Sequence, residues 1–380
     1  YDFLEMTECF PVRTPNLARL AREGVWHRHA YSNAPLCMPA RCSMHNGLYA
    51  HQHGLNQNIL HWPMGLPTMP QALQRAGYHT TAIGKLHIHE GASQPVDLTE
   101  LVGDAQALGY DDVHEVSGKT LSWRSDCQWT HHIAAKEQLE KYRSYRSYRQ
   151  DGPSEGHWPF PLDAEDYMDV YIGDHAVEWL EQYDDQAPFF LWAGLVSPHP
   201  RFDAPAEELA RHPAEEQPLP IDNEDPGHWP QKRAHYAAMV EIVDRQVGRM
   251  LEVLDRRGIL DDTLVIFSAD HGEMLGDHGL AGKCYAYDPS ARVPLLARYP
   301  RLIQPGTVSD ALVELIDLTA TCLEMGTGCT DAAECLPRSP ARSLVGHWQG
   351  TSESHRAFVY SEDGGQFFPA FQMVRTERWK

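Results

Sequence analysis

Two stretches of this chain are apolar without interruption, at residues 188–196 and 264–267. A strand with one face in water alternates apolar and polar residues. An unbroken run suits a strand covered on both faces, as in parallel sheets flanked by helices. The sequence between the two runs supplies a helix. Over residues 234–257, Met239, Ile242, Val243, Val247, Leu251 and Leu254 fall on one stripe, and Gly258 terminates it. Residues 169–182 show helical spacing ahead of the first run. The alternation predicts an α/β fold, a mostly parallel central sheet with helices on both faces.

The N-terminal part fits this scheme. Thr14 and Pro15 open a helix whose Leu17, Leu20 and Ala21 share a face until Gly24. Val25–Tyr31 reads as extended, Ser32-Asn33-Ala34-Pro35 as a turn, and Pro39 suits the first turn of a helix running to about Leu48. A helix over 69–76 ends at Gly77 and precedes a strand at 80–83; a short strand at 294–298 and a helix at 312–325 come later. Residues 90–163 mix Gly, Pro and polar clusters with a charged stretch at 136–149. They read as a long insertion over one face of the core, serving either as a recognition surface or as a solvated excursion.

Composition narrows the function. With 32 Lys+Arg against 53 Asp+Glu, the formal charge is −21, which argues against a nucleic-acid binder. A small anionic substrate is still allowed, because a buried site can be locally cationic. The longest apolar run falls well short of the ~20 residues that span a bilayer, so no transmembrane segment is expected. Eight cysteines are too sparse for a disulfide scaffold, and no C-x-x-C pair marks structural zinc. Cys322, Cys329 and Cys335 are near enough in sequence for a local bridge. The first residues carry no charged-then-apolar leader, and the last seven read as a strand in progress, so the expectation is an internal piece of a longer protein, with no compartment legible in it.

In open α/β sheets chemistry gathers beyond the carboxyl ends of strands. Three predicted strands run into Gly84-Lys85-Leu86-His87, Ser197-Pro198-His199-Pro200 and Ser268-Ala269-Asp270-His271-Gly272-Glu273. There is no H-E-x-x-H, G-x-S-x-G or G-x-G-x-x-G, and Gly279–Cys284 lacks P-loop spacing. Cys37 stands just before a predicted helix N-terminus, with Arg41 one turn on, where an anionic form is favoured.

Cys37-x-Pro39-x-Arg41, with Gly47 ten residues after the cysteine, resembles the signature of the sulfatase family. Thr14-Pro15-Asn16-Leu17, Gly84-Lys85-Leu86-His87, Pro198-His199-Pro200, Ser268–Glu273, Gly282-Lys283 and Arg292-Val293-Pro294 match in the same order. The resemblance runs from about residue 10 to the C-terminus and is weakest over 90–165. It implies an alkaline-phosphatase-like fold that hydrolyses sulfate esters. Cys37 would be oxidised to formylglycine by a separate maturation enzyme. One hydroxyl of the hydrated aldehyde would attack sulfur beside a divalent metal, and the other would let the sulfated intermediate collapse.

The resemblance also assigns roles. Arg41 holds the formylglycine oxygens, Lys85 and Lys283 clamp sulfate, Lys283 or His199 serves the leaving oxygen, and His87 is the base for the second hydroxyl. Asn58 donates to the sulfate or the nucleophile. Asp270 and His271, with the residue at position 37, hold the metal. Calcium is favoured, with manganese or magnesium as alternatives because an imidazole softens the site. The remaining ligands would sit on a first strand that this chain lacks, which leaves Asp2 as a neighbour of the site and two sheet edges without a partner. A catalytic domain over 1–350 and the beginning of a small α+β subdomain over 351–380 follow. His51-Gln52-His53 could be a metal pair, but it falls after the signature helix and reads as structural or as a support behind the site. The substrate would be a small-molecule or saccharide sulfate ester. The alternatives are a phosphonate monoester or phosphodiester hydrolase of the same superfamily, and a non-catalytic binding member.

Overall fold

In a computed structural model the described residues are 1–89, 95–184, 186–351 and 354–380, except 151–157, with the backbone alone described for 146–150. The expected α/β architecture is present. Six helices matter below: α1 (Pro15–Glu23), α2 (Cys37–Asn46), α3 (Met69–Arg75), α4 (Met168–Gln182), α5 (Trp229–Arg256) and α6 (Leu315–Thr327). Among the described residues ten strands accompany them: β1 (Val25–Tyr31), β2 (His79–Gly84), β3 (Asp112–Glu115), β4 (Phe189–Gly194), β5 (Val265–Ser268), β6 (Arg292–Val293), β7 (Leu295–Arg298), β8 (Thr307–Glu314), β9 (Val359–Asp363) and β10 (Phe371–Arg375).

The strands form two main sheets. One is wholly parallel, in the order β3-β2-β4, with Gly84 opposite Glu115 on one side and Gly194 on the other. The second is mixed: β5-β7-β1-β6 with β8 parallel to β1, and β6 and β7 antiparallel to it. The far edges of β4 and β5 border one cavity of about 760 Å³, lined by Leu191, Leu195, Val265, Phe267, Val247 and Leu251 among others. The run at 188–196 is therefore only half-buried over most of β4, because one edge faces this space rather than a further strand.

Helix α5 packs its apolar stripe against α4, α1 and the cavity wall, and Ile242, Val243 and Leu251 are buried there. The β9–β10 hairpin docks Val359 and Met373 on Tyr31 and Leu312. The segment at 90–163 is more than an insertion over one face. It supplies β3 and buries Trp129, Ile133 and Tyr142 in the core; its residues 90–94 and 151–157 lie outside the described set. Its strand, Asp112-Val113-His114-Glu115, carries too little apolar character to stand out by periodicity. The helix expected at 312–325 begins at Leu315, since β8 extends to Glu314 and pairs with β1. All eight cysteines are free thiols, so the local bridge considered for Cys322, Cys329 and Cys335 is not formed. No helix among the described residues is long and apolar enough to cross a membrane.

Candidate active site

The site is built around the N-terminus of α2. Leu36 precedes that helix in extended conformation and has no side-chain acceptor for the orphan amides of the first turn. The carboxamide oxygen of Asn58 takes that place, accepting from the Met38 amide at 2.9 Å. Cys37, the first helical residue, is 1% exposed. Its Sγ stands 3.1 Å from His271 Nε2 and 3.3 Å from Lys283 Nζ. Burial alone would raise the thiol pKa; Lys283, Lys85 and His271 outweigh it and pull the thiol well below its ordinary value.

Arg41 ties this helix to two strand ends. Its Nε donates to Asp270 Oδ2 at 2.8 Å, and a terminal nitrogen donates to the Lys85 carbonyl at 2.6 Å. Asp270 is half-buried among charges, and against the cost of its desolvation His271 and Arg41 hold its carboxyl well below the usual range. Lys85 follows β2 and is itself buried, which lowers its pKa against the pull of Cys37. The close approach of β2 and β4 here depends on Gly194, where a Cβ would stand 2.4 Å from the Lys85 carbonyl oxygen.

His87 sits at φ +63° in a turn held by Glu115. The Glu115 carboxylate accepts the His87 amide at 3.2 Å and also takes the Leu86 and Ile88 amides. Burial pushes Glu115 up to about 7, despite those bonds and Arg41. Burial and then Lys85 push His87 down to about 4, so its ring is neutral near pH 7 and free to take a proton. His199, past the end of β4, donates from Nδ1 to the Pro200 carbonyl and accepts from Lys283 Nζ at Nε2, 3.2 Å away. Burial, then Lys283 and Lys85, lower its pKa to about 3. It is thus a neutral acceptor that orients Lys283. Lys283 arrives on a loop closed by Glu273, whose Oε1 accepts the Gly282 amide at 2.5 Å. Burial works against its charge, but Cys37, Asp270 and Glu273 hold the ammonium above its ordinary range.

The donor set fits a divalent cation in part. His271 Nδ1 lies 2.8 Å from the Gly272 carbonyl and donates to it, which leaves the Nε2 lone pair facing Cys37. Ligand atoms of Cys37, Asp270 and His271 all lie within 4.8 Å of one another. Asp2 is outside that group. Eight of the nine residues expected from the sequence therefore converge on one place at the carboxyl ends of β2, β4 and β5. Asn58 adjoins them, its oxygen engaged at the helix terminus rather than directed toward a substrate. His51 and His53 are structural, bonded to Glu362 and Ser43. Sequence reasoning assigned no role to Glu115 or Glu273, which fix the loops bearing His87 and Lys283.

The family model "Sulfatase" matches residues 8–328. The chain belongs to the sulfatase family. It is a sulfuric ester hydrolase of the alkaline phosphatase superfamily. A multifunctional alkaline phosphatase superfamily protein of Trinickia caryophylli is 28% identical over 85% of this chain and 70% of its own length. The arylsulfatase of Clostridium perfringens is 26% identical over 82% of this chain and 69% of its own. Among solved structures, the phosphonate monoester hydrolase of Agrobacterium radiobacter superposes with a TM-score of 0.76 at 21% identity, covering 95% of this chain and 77% of that one. That likeness is one of fold.

Proposed function

We propose that this sulfatase cleaves a small-molecule or saccharide sulfate ester with a nucleophile matured from Cys37. In this reading Sγ marks the place of a formylglycine hydroxyl oxygen. The observation that carries the reading is the buried Cys37 at a helix N-terminus, with Lys283 and His271 within 3.3 Å and Arg41 one turn away. A buried thiol needs no cations such as Lys283, Lys85 and Arg41 around it; an attacking oxyanion and a sulfate group do. Hydrated formylglycine supplies one hydroxyl for attack on sulfur and a second for release of sulfate by C–O cleavage. A divalent cation, calcium by preference, supplies positive charge at the nucleophile and would be held by Asp270 and His271.

The chain's own residues do the rest. Lys85 and Lys283 bind the sulfate oxygens, and Arg41 fixes Asp270 and offsets charge at the nucleophile. Lys283 gives its proton to the departing alcohol oxygen. His199 is neutral and accepts from Lys283, so it aims the ammonium rather than serving as the acid. His87, also neutral, takes the proton of the second hydroxyl.

Intact-peptide mass spectrometry across Cys37, after co-expression with a formylglycine-generating enzyme, tests the nucleophile. A loss of ~18 Da relative to cysteine is expected, and plain thiol with full turnover ends the proposal. A phosphonate monoester hydrolase is the second reading, supported by His271, whereas Lys85 and His87 favour sulfate. Turnover of aryl sulfates against aryl phosphonates in one panel decides between them.

A further inference from the structure

A buried carboxylate outside the constellation grips the segment that carries His199. Asp169, in the first turn of α4, is 0% exposed. Its Oδ1 accepts the Val196 amide at 2.5 Å and the Ser197 amide at 3.0 Å. Its Oδ2 accepts the Ser197 hydroxyl at 2.5 Å. Nearly all of the carboxylate's capacity is thus spent on two consecutive residues at the end of β4. The chain then turns within three residues, the His199 amide returning to the Val196 carbonyl at 3.1 Å.

Behind Ser197 lies a buried polar network. Its Oγ donates to Asp169 and so accepts from the Tyr167 hydroxyl, 3.2 Å away. Tyr167 in turn accepts from Lys119, whose ammonium also donates to Asp203 at 2.7 Å and to Met239 Sδ at 3.0 Å. Lys119 and Tyr167 are buried, and the Tyr167 hydroxyl lies within reach of both Ser197 Oγ and Asp203 Oδ1, the latter 3.4 Å away. The Ser197 hydroxyl, which could rotate in water, is fixed by Asp169, and a buried network satisfied at every member is rigid.

We propose that Asp169 is a positioning residue: through Ser197 and the 196–200 turn it sets His199, and through His199 it aims the Lys283 ammonium at the leaving-group oxygen. The inference rests on the reading of Lys283 as the proton donor. Placement errors near 1 Å cost about 100-fold in such steps, and the cost falls on the step that needs the aimed group. A good leaving group departs without a proton; a poor one does not.

The test compares the matured, full-length protein with Asp169→Asn and Ser197→Ala. The Asp169→Asn carboxamide would present an N–H to the Ser197 hydroxyl and reverse that hydrogen bond, whereas Ser197→Ala removes the hydroxyl and leaves both amide bonds. Asp244→Asn is the control, because Asp244 is a comparably buried carboxylate that caps α1 through the Leu17 amide at 2.8 Å. Rates are measured over esters of graded leaving-group pKa, with thermal midpoints alongside. For Ser197→Ala and Asp169→Asn we expect kcat on the poorest leaving groups to fall about 100-fold, the loss on 4-nitrophenyl esters to stay within about 10-fold, and KM to move little. Asp244→Asn lowers the midpoint and leaves the slope against leaving-group pKa unchanged. If both the Asp169 and Ser197 variants lose rate evenly across the series, as the control does, the residues are merely structural and the inference is overturned. The parent reading fails separately: the slope is measured within whichever ester the wild type prefers, while an unchanged slope in Lys283→Ala removes the donor itself.

Discussion

Lys283→Ala is the substitution whose outcome the geometry constrains most. The ammonium stands 3.3 Å from the nucleophile position and 3.2 Å from His199 Nε2, in a pocket that also holds Lys85 and Arg41. Two unit charges at that separation interact by about 5 kcal/mol at an effective dielectric of about 20, which is a ceiling. Much of it is present before reaction, because the sulfate oxygens are already anionic in the bound ester, and uniform binding does not raise kcat. Only the charge that grows on the leaving oxygen counts toward the barrier. Deleting a donor aimed at such charge costs about 2.7–4 kcal/mol, or about 10²–10³-fold in kcat.

That loss is expected on alkyl sulfates and slow aryl sulfates. On 4-nitrophenyl sulfate, whose phenolate leaves unaided, the loss should be about 10-fold, from weaker sulfate binding alone. The assay is kcat and kcat/KM over a series of aryl sulfates of graded leaving-group pKa, wild type beside variant. A steeper dependence in the variant supports the donor role. Parallel lines with a raised KM would move Lys283 to sulfate binding and make another group the acid, which would refute the reasoning, since His199 is neutral and itself accepts from Lys283.

Cys37→Ala should abolish turnover, whereas Cys42→Ala, buried on the same helix with its sulfur accepting from Asn46 at 3.2 Å, should keep it at a stability cost near 1 kcal/mol; equal loss in both would mean the wrong thiol carries the chemistry. Acid stability depends on His27, buried and held at about 3 while Trp348 donates to its Nε2 at 3.0 Å. Below about 6.5 the unfolded chain takes a proton that the folded one refuses, so stability present above that pH falls as pH drops toward 3, by roughly 3–5 kcal/mol in total. His27→Gln should flatten that slope in chemical denaturation at stepped pH, and an unaltered slope would exclude His27 as the sensor. Glu115 works in the opposite sense. Raised to about 7, it binds a proton in the folded state between 4.5 and 7, so its contribution declines as pH rises through that window. Glu115→Gln, which still offers the His87 amide an acceptor, should remove this decline while keeping measurable turnover; a decline of undiminished size in the variant would assign it elsewhere.

What the sequence made legible, and what it hid, follows from how each feature is encoded. The unbroken runs at β4 and β5 announced strands because they carry no polar position on either face, although both strands are only half-buried beside the cavity, and the residues just past them, His199 and Asp270, could be picked out by place alone. Strand β3 was hidden because Asp112 and His114 keep polar contacts along the sheet, so its four residues carry no apolar period. Its last residue nevertheless enters the site by register, Glu115 pairing with Gly84 one step before Lys85. Strand β8 was lost in part to the helix that follows it, since Leu312, Val313, Leu315 and Ile316 run together without a break at Glu314. Asn58 shows a different failure. Taken alone, an amide near a catalytic signature suggests a substrate contact, yet the demand it meets was written twenty residues earlier. An apolar residue, Leu36, stands where a helix beginning at Cys37 needs a side-chain acceptor, so some remote group had to satisfy the Met38 amide. The same argument applies to Asp169: two amides leaving β4 needed an acceptor, and the sheet had none left to give. Residues that complete unmet backbone demands are invisible to motif spacing, but the demand itself can be read, and in this chain it falls beside Cys37, His87 and His199.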